Sequence, residues 1–192
     1  MILVLHPERI EEDLAAGEVS CPRCAVPLRA WSWARPRRIR QLDGSSMAVR
    51  PRRARCGSCR ATHVLVPADC LPHRADSAQV IGMALLARAA GHGYRRIAAD
   101  LRRPVSTVRG WLRPLHDRHL RWLYGRGVQH TYRHAPQFLD DQKPHANALG
   151  DALEALGRAV VAFRRRFADT AATWSLVTMF TSGRLLGPTP PT

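Results

Sequence analysis

Residues 50–60, RPRRARCGSCR, contain two cysteines separated by two residues inside a segment with five arginines. A Cys-x-x-Cys pair is compatible with a redox dithiol, with half of a metal site, or with a basic nucleic-acid-binding arm that merely contains cysteine. A second pair favours the metal site, because Cys21 and Cys24 stand in CPRC with 31 residues between the two pairs. Two such pairs on either side of a β-hairpin supply the four thiolates of a tetrahedral zinc site.

The residues around these cysteines, 21–74, predict a small β zinc ribbon. Short strand-like runs, RPRRIRQL and MAVRPRRAR, flank the turn signal DGSS, and ATHVLVP follows. A module this small has too little core to fold alone, so zinc binding, worth about 10–16 kcal/mol in peptides, would act structurally. Neither pair is followed by helical periodicity, which disfavours a redox dithiol. Iron uses the same four sulfurs, and the residues do not distinguish it from zinc.

The arginines of the ribbon have two expected roles. Four thiolates around Zn²⁺ carry a local charge of about −2, which Arg23, Arg55 and Arg60 would partly neutralise. Arginines of the hairpin strands would form a basic ridge on one face, a secondary nucleic-acid surface. The ridge comprises Arg38, Arg40, Arg50, Arg52 and Arg53.

Other potential ligands of the ribbon are expected to stay outside the site. Cys70 has no cysteine nearby and is expected to be a buried thiol. His63 and His73 would replace a cysteine only if one pair failed to bind.

Residues 75–124 change to helical periodicity and predict a three-helix helix-turn-helix. The first helix lies in DSAQVIGMALLARAAGHG, which has a polar start and glycines at its end. In the following YRRIAADLRRPVSTVRGWLR, Ala98 stands ten residues before Val108, so two helices would cross there. Pro104 suits the first turn of the second helix.

That second helix is the predicted DNA-reading element, because its free face combines short hydroxyl donors with long cations able to contact guanine. The residues expected on DNA are Ser106, Thr107, Arg109, Gly110 and Arg113, with Arg95, Arg96, Arg102 and Arg103 beside them.

The pattern IAADL followed by STVRGWL resembles the homeodomain-like helix-turn-helix of transposases and DNA invertases, many of which have glycine where Arg102 stands. The layout of residues 1–115 resembles the N-terminal DNA-binding region of insertion-sequence transposases. It is also similar to actinobacterial zinc-ribbon plus helix-turn-helix proteins that share a linker like CLPHRAD. The resemblance implies a partner of double-stranded DNA, bound by a transcriptional regulator or a transposase-derived protein without a catalytic domain.

The net charge of +15 is concentrated in the middle of the chain. Residues 21–126 hold 22 arginines against five aspartates, whereas residues 1–20 carry −4 and residues 127–192 carry +2. Such clustering is typical of proteins that bind phosphate backbones. A GC-rich genome also favours arginine, however, and 29 of the 30 basic residues are arginine. A non-catalytic ribbon scaffold that binds RNA or an acidic protein stays open as the alternative.

The expected location is the bacterial cytoplasm, in association with the nucleoid. No run approaches the roughly 18 apolar residues of a membrane helix, and the start MILVLHPERIEEDL lacks the pattern of a secretory signal. We expect no membrane contact and no small-molecule substrate.

The flanking segments complete an α+β chain: ribbon, homeodomain-like helix-turn-helix and C-terminal helical hairpin. Residues 1–20 predict an acidic strand and helix, 125–147 a linker, 148–186 helices and 187–192 a disordered tail. Apolar residues recur at spacings of three and four within 149–167. This seam predicts docking on TAATWSLVTMF of the same chain or, alternatively, a homodimer.

No catalytic residue is predicted. The carboxylates after Arg126 stand in helical sequence rather than on the strands that a two-metal transposase site needs. His130 and His134 are four residues apart in a segment that reads as a polar loop, and His116 and His119 are expected to face solvent or phosphate.

Overall fold

The computed structural model describes residues 1–139 and 144–187, and these form six strands and seven α-helices. The expected α+β class is therefore confirmed. The strands are β1 (Ile2–Val4), β2 (Leu28–Trp33), β3 (Arg37–Arg40), β4 (Ser46–Val49), β5 (Arg52–Cys56) and β6 (Thr62–Pro67). The helices are α1 (Ile10–Ala15), α2 (Ala78–Ala89), α3 (Tyr94–Asp100), α4 (Val105–Leu112), α5 (Asp117–His134), α6 (Ala148–Phe167) and α7 (Thr173–Phe180).

The strands form a four-stranded sheet in the order β1-β6-β5-β2 and a separate two-stranded sheet, β3-β4. β1 runs parallel to β6, and the other pairs are antiparallel. The N-terminal strand and α1 thus belong to the ribbon. Ile10 and Leu14 of α1 pack in one apolar cluster with Leu28, Ala54 and Leu65 of the sheet, because a sheet this small leaves apolar residues that a helix must cover.

The predicted strand MAVRPRRAR is two strands in different sheets. β4 ends at Val49, and β5 begins at Arg52 after the buried Pro51, whose nitrogen has no hydrogen to donate to a ladder. β4 then pairs with β3, whereas β5 pairs with β2 and β6.

The predicted basic ridge across a single hairpin is therefore wrong. Arg38 and Arg40 lie on β3 opposite Ala48 and Ser46. Arg52 and Arg53 pair with β2 instead.

Helices α2 to α7 share one apolar core. Residues 125–134, predicted to be part of a linker, continue α5, so that prediction is wrong. Five residues of α5 are buried: His119, Leu120, Leu123, Gly127 and Thr131. Only the two leucines are apolar residues that periodicity detects. Gly127 is placed where a Cβ atom would lie 2.4 Å from the Ala155 carbonyl carbon of α6, so the two helices touch backbone to backbone.

α5 and α6 run side by side in the same direction. Gly127 meets Ala155, and the Arg133 carbonyl accepts a hydrogen bond from Arg166 at 2.8 Å. α5 is about 27 Å long at 1.5 Å per residue, and its first turns lie beside the first turn of α6.

The apolar seam of α6 is buried inside the chain, including Leu149, Leu153, Leu156 and Val160. It lies in the common core with Leu176 and Val177 of α7, which agrees with docking inside the chain. A homodimer through residues 149–167 stays a prediction, and it would use the outer face, where Val161 and Phe167 are exposed.

The two-stranded sheet is joined to the helices by a buried carboxylate. Arg40 forms backbone hydrogen bonds with Ala75 and Ser77, just before α2. The Asp76 side chain is 2% exposed and accepts from Arg40 at 2.6 Å and from Arg103 at 2.5 Å. Arg103 also donates to the Gln41 carbonyl at 2.8 Å. Asp76 therefore fixes the β3-β4 hairpin against the connection between α3 and α4.

Across the described ranges, no helix has both the length and the apolar character needed to cross a membrane. Asp140, Asp141 and the predicted disordered tail, apart from Gly187, lie outside the described residues.

Candidate metal centre and nucleic-acid interface

Both cysteine pairs lie in turns with the same backbone conformation. Cys21–Cys24 precedes β2, and Cys56–Cys59 connects β5 to β6. In each turn the N–H of the first cysteine donates to the carbonyl five residues later, at 2.9 Å. The residue after each second cysteine is left-handed, with φ of 58° at Ala25 and 62° at Arg60. The two turns therefore present their sulfurs in equivalent ways.

The four sulfurs converge on one point. All four Sγ atoms lie within 4.8 Å of one another. Cys21 Sγ is 3.7 Å from Cys59 Sγ, and Cys24 Sγ is 3.4 Å from Cys56 Sγ. All four thiols are free, since a disulfide needs about 2.05 Å. A tetrahedron with metal–sulfur bonds of about 2.3 Å has edges of about 3.8 Å. The tetrad can thus hold a metal ion.

Backbone amides direct their hydrogens at the sulfurs of Cys21 and Cys56 and favour their thiolates. The Arg23 and Cys24 amides lower the pKa of Cys21. The Cys59 amide lowers the pKa of Cys56 to about 7. At Cys59 the Ala61 amide acts in the same direction, but burial and the neighbouring cysteines raise the pKa to about 11. Because the thiolate is the form that binds metal, the turns prepare both buried cysteines for ligation.

His63 lies beside the tetrad but is not part of it. It is buried on β6, and its Nε2 atom is 3.5 Å from Cys21 Sγ. Burial lowers its pKa, so the ring is neutral and, with its proton on Nε2, donates to that sulfur. Such a contact orients a metal ligand. His73 is exposed and is not among the converging residues.

Cys70 is fully buried and packs with Ile39, Val49 and Val66, away from the tetrad. Burial raises the pKa of its thiol to about 11. The expectation of a buried thiol is confirmed.

α4 separates an apolar face from a polar one. Val108 and Trp111 are buried in the helical core, whereas Ser106, Arg109 and Arg113 are exposed. A groove of about 520 Å³ lies between α3 and α4. It is lined by Tyr94, Arg95, Val105, Ser106, Arg109, Gly110 and Arg113. Five of the predicted DNA-contacting residues therefore share one surface.

The remaining predicted contacts divide into exposed side chains and side chains that are at least half-buried. Arg95, Arg96 and Arg102 are exposed, and Thr107 is half-buried. The prediction for Arg103 is wrong, because its side chain is 7% exposed and is held by Asp76. Arg102 has φ of 51°, the left-handed conformation for which glycine is favoured.

Two ridge arginines are similarly engaged. Arg40 is held by Asp76, and Arg52 forms an ion pair with Glu11 at 2.7 Å. Arg38, Arg50 and Arg53 are exposed.

Three of the four histidine predictions are wrong, whereas His116 is exposed as expected. His130 and His134 lie on α5 rather than in a polar loop, and burial lowers the pKa of His130 to about 4. His119 is fully buried, with Nε2 3.0 Å from the Leu185 carbonyl oxygen. These rings belong to the packing between α5 and the C-terminal helices.

Sequence reasoning missed Trp31, which is 57% exposed on β2 with the Arg55 guanidinium over its ring. The alternation RAWSW contained a signal for exposed aromatic residues, but the irregular pairing of this strand was not visible in it.

Residues 21–111 match a family model described as a domain of unknown function, DUF6431. The matched stretch begins at the first cysteine and ends at Trp111, so it includes both cysteine pairs, α2, α3 and all of α4 except its last residue. No curated protein and no solved structure matches the chain.

Proposed function

We propose that the chain binds double-stranded DNA through α2 to α4, acting as a helix-turn-helix, with one structural zinc ion in the ribbon. It would act as a transcriptional regulator or as a transposase-derived protein without a catalytic domain. The observation that carries the proposal is the exposed face of α4, where Ser106, Arg109 and Arg113 border a groove with Arg95 of α3.

The dimensions of α4 suit the major groove. A helix with its side chains is about 10–12 Å across, and the major groove of B-DNA, about 12 Å wide, admits one. A Cβ atom at Gly110 would meet nothing within 4 Å, so the backbone there can approach bases closely. Arg109 supplies the guanidinium that contacts guanine O6 and N7 in the commonest specific pairing.

Charge supports a phosphate partner. Residues 94–113 hold six arginines and one acid, Asp100. Arg95 and Arg96 stand in the first turn of α3, where they would contact phosphates on either side of the groove. Such contacts fix the position of the protein without selecting a sequence.

Zinc would stabilise the ribbon, whose own core is small. Because Asp76 joins the β3-β4 hairpin to Arg103, a folded ribbon would in turn support the connection before α4. This link gives the metal an indirect role in DNA binding.

Fluorescence anisotropy with a duplex oligonucleotide, titrated with salt, tests the proposal. Binding at about 50 mM salt should weaken by orders of magnitude at about 200 mM, as phosphate contacts require. Arg109→Ala should reduce the preference for a selected sequence by about 1–3 kcal/mol. Arg165→Ala is the matched control. It removes the same charge from an exposed position on α6, where the guanidinium carbon lies 5.5 Å from the centroid of the Phe138 ring and outside the groove between α3 and α4.

The control variant should bind like the unmodified chain. Absence of duplex binding at about 50 mM salt would refute the proposal. An equal loss of affinity in Arg109→Ala and Arg165→Ala would also refute it, because α4 would then contribute only net charge.

A further inference from the structure

An irregularity in β2 gives its two tryptophans different surroundings. The register places Ala30 opposite Ala54 and Ser32 opposite Arg53, so Trp31 is an extra residue in a β-bulge. Trp33 contacts Arg52, with Cζ 4.7 Å from the ring centroid, whereas Trp31 contacts Arg55, at 4.6 Å. Arg52 and Arg55 are three residues apart on β5, so they face opposite sides of the sheet. In a regular strand both tryptophans would share one face.

The face that carries Trp31 is basic. Arg29 lies opposite Arg55 in the ladder, and Arg53 is two residues from Arg55 on the same strand, so these three arginines project to the same side as Trp31. Arg29 and Arg53 are exposed, and Trp31 keeps 57% of its surface exposed beside the Arg55 guanidinium. In the described part of the chain, no ion pair involves these three arginines.

The surroundings of Trp33 differ in charge. Its cleft is lined by Glu8 and Glu11 as well as by Arg50 and Arg52, and Arg52 is held by Glu11 at 2.7 Å. Its neighbouring carboxylates would repel phosphate, so the two exposed tryptophans are chemically distinct.

We propose that Trp31, Arg29, Arg53 and Arg55 form a second nucleic-acid surface, which binds single-stranded DNA by stacking a base on Trp31. Aromatic rings beside cations that follow the phosphates are the usual basis of single-strand binding. A duplex keeps its base faces stacked inside, so it has no base to place on this ring. An acidic protein segment would satisfy the arginines but leave the ring without a stacking partner.

The assignment to DNA follows from the four side chains. A ribose 2′-hydroxyl is the group by which a protein selects RNA, and none of the four has a carbonyl or carboxylate oxygen to accept its hydrogen. The four side chains therefore offer the 2′-hydroxyl donors but no acceptor, and RNA of the same length is the competing ligand in the test. The surface is separate from α4 and does not depend on duplex binding by that helix.

Tryptophan fluorescence of the full, metal-loaded chain tests the proposal. Oligothymidylate of about 12 nucleotides should quench it, whereas an abasic oligonucleotide of the same length should not, because it has phosphates but no bases. The Trp31 variants lack the ring that is quenched, so their affinity is measured by the anisotropy of labelled oligothymidylate. Trp31→Ala should weaken this binding about 5- to 150-fold, and Trp31→Phe should recover most of it. Trp33→Ala is the matched control, and metal content and thermal midpoint show that each variant is folded.

Three results would overturn the proposal. The first is unchanged affinity in folded Trp31→Ala, and the second is equal binding of the abasic strand. The third is that oligothymidylate does not bind whereas polyglutamate does, and that polyglutamate binding is lost in Trp31→Ala. This result would indicate an acidic protein partner. RNA of the same length binding about tenfold more tightly would overturn the assignment to DNA. Arg109→Ala should leave single-strand binding unchanged, which separates this surface from the duplex site.

Discussion

Replacing Asp76 with asparagine should destabilise the protein far more than a surface change of the same kind. The Asp76 carboxylate is 2% exposed and contacts two guanidinium groups, those of Arg40 and Arg103, of which Arg103 is 7% exposed. An asparagine can accept from one of them, but it removes the negative charge and directs its own N–H group towards the other. Arg103 would then be a buried cation without a counter-charge.

The expected loss is large because buried charges are costly when unpaired. Removing one partner of a buried ion pair typically costs about 3–5 kcal/mol. In a chain of this size each kcal/mol lowers the thermal midpoint by about 2–4 °C, so the substitution should lower it by about 6–20 °C.

Asp100→Asn is the matched control. Asp100 also faces an arginine, Arg96, but the atoms are 3.9 Å apart and the two side chains are 58% and 69% exposed. An exposed pair of this kind contributes about 0.3–0.5 kcal/mol. Thermal and urea unfolding of both variants, followed by circular dichroism, measures the difference. If Asp76→Asn lost less than about 1 kcal/mol, or no more than Asp100→Asn, the proposed clamp between hairpin and helices would be refuted.

Three further predictions concern the metal, the helix crossing and a helix end. Chelation or Cys56→Ser should remove one metal ion per chain, as measured by elemental analysis, and should unfold the ribbon. Cys70→Ser should keep the ion. An unchanged circular dichroism spectrum after the metal is removed would contradict this prediction. Gly127→Ala should cost about 1–3 kcal/mol in urea unfolding, because its Cβ would lie 2.4 Å from the Ala155 backbone. Gly125→Ala, with nothing within 4 Å, should be neutral or stabilising, and equal effects would refute the crossing. Ala168→Gly should raise the free energy of unfolding by about 1 kcal/mol, because residue 168 ends α6 with φ of 50°; a loss of stability would show that the end is not left-handed.

The cysteine tetrad could be predicted from sequence because each half is local. Two Cys-x-x-Cys turns fix their own sulfurs through short-range hydrogen bonds, and only the meeting of the turns depends on the fold. The helices α2 to α4 were predictable for a similar reason, since their caps and apolar spacing lie within short windows.

The strand pairing was not predictable in the same way. MAVRPRRAR was interpreted as one strand because alternation continues through it, but β4 and β5 choose partners in different sheets. Partner choice depends on residues far along the chain. The role of Arg103 was hidden for the same reason, because it depends on a carboxylate 27 residues away becoming buried.

The continuation of α5 was missed because packing overrides composition. Residues 125–134 resemble a linker because they hold two glycines and two histidines, yet Gly127 lets α6 approach closely enough to stabilise the helix. A glycine at a backbone contact and a glycine in a loop look the same in sequence.

Selection from a randomised duplex library, with the unmodified chain and Arg109→Ala in parallel, tests duplex recognition by α4 most directly. The account predicts that the unmodified chain enriches a defined site. Arg109→Ala should enrich the same site with its preference lost at one base pair that contains guanine. No enrichment by either chain, or an identical site from both, would contradict the account.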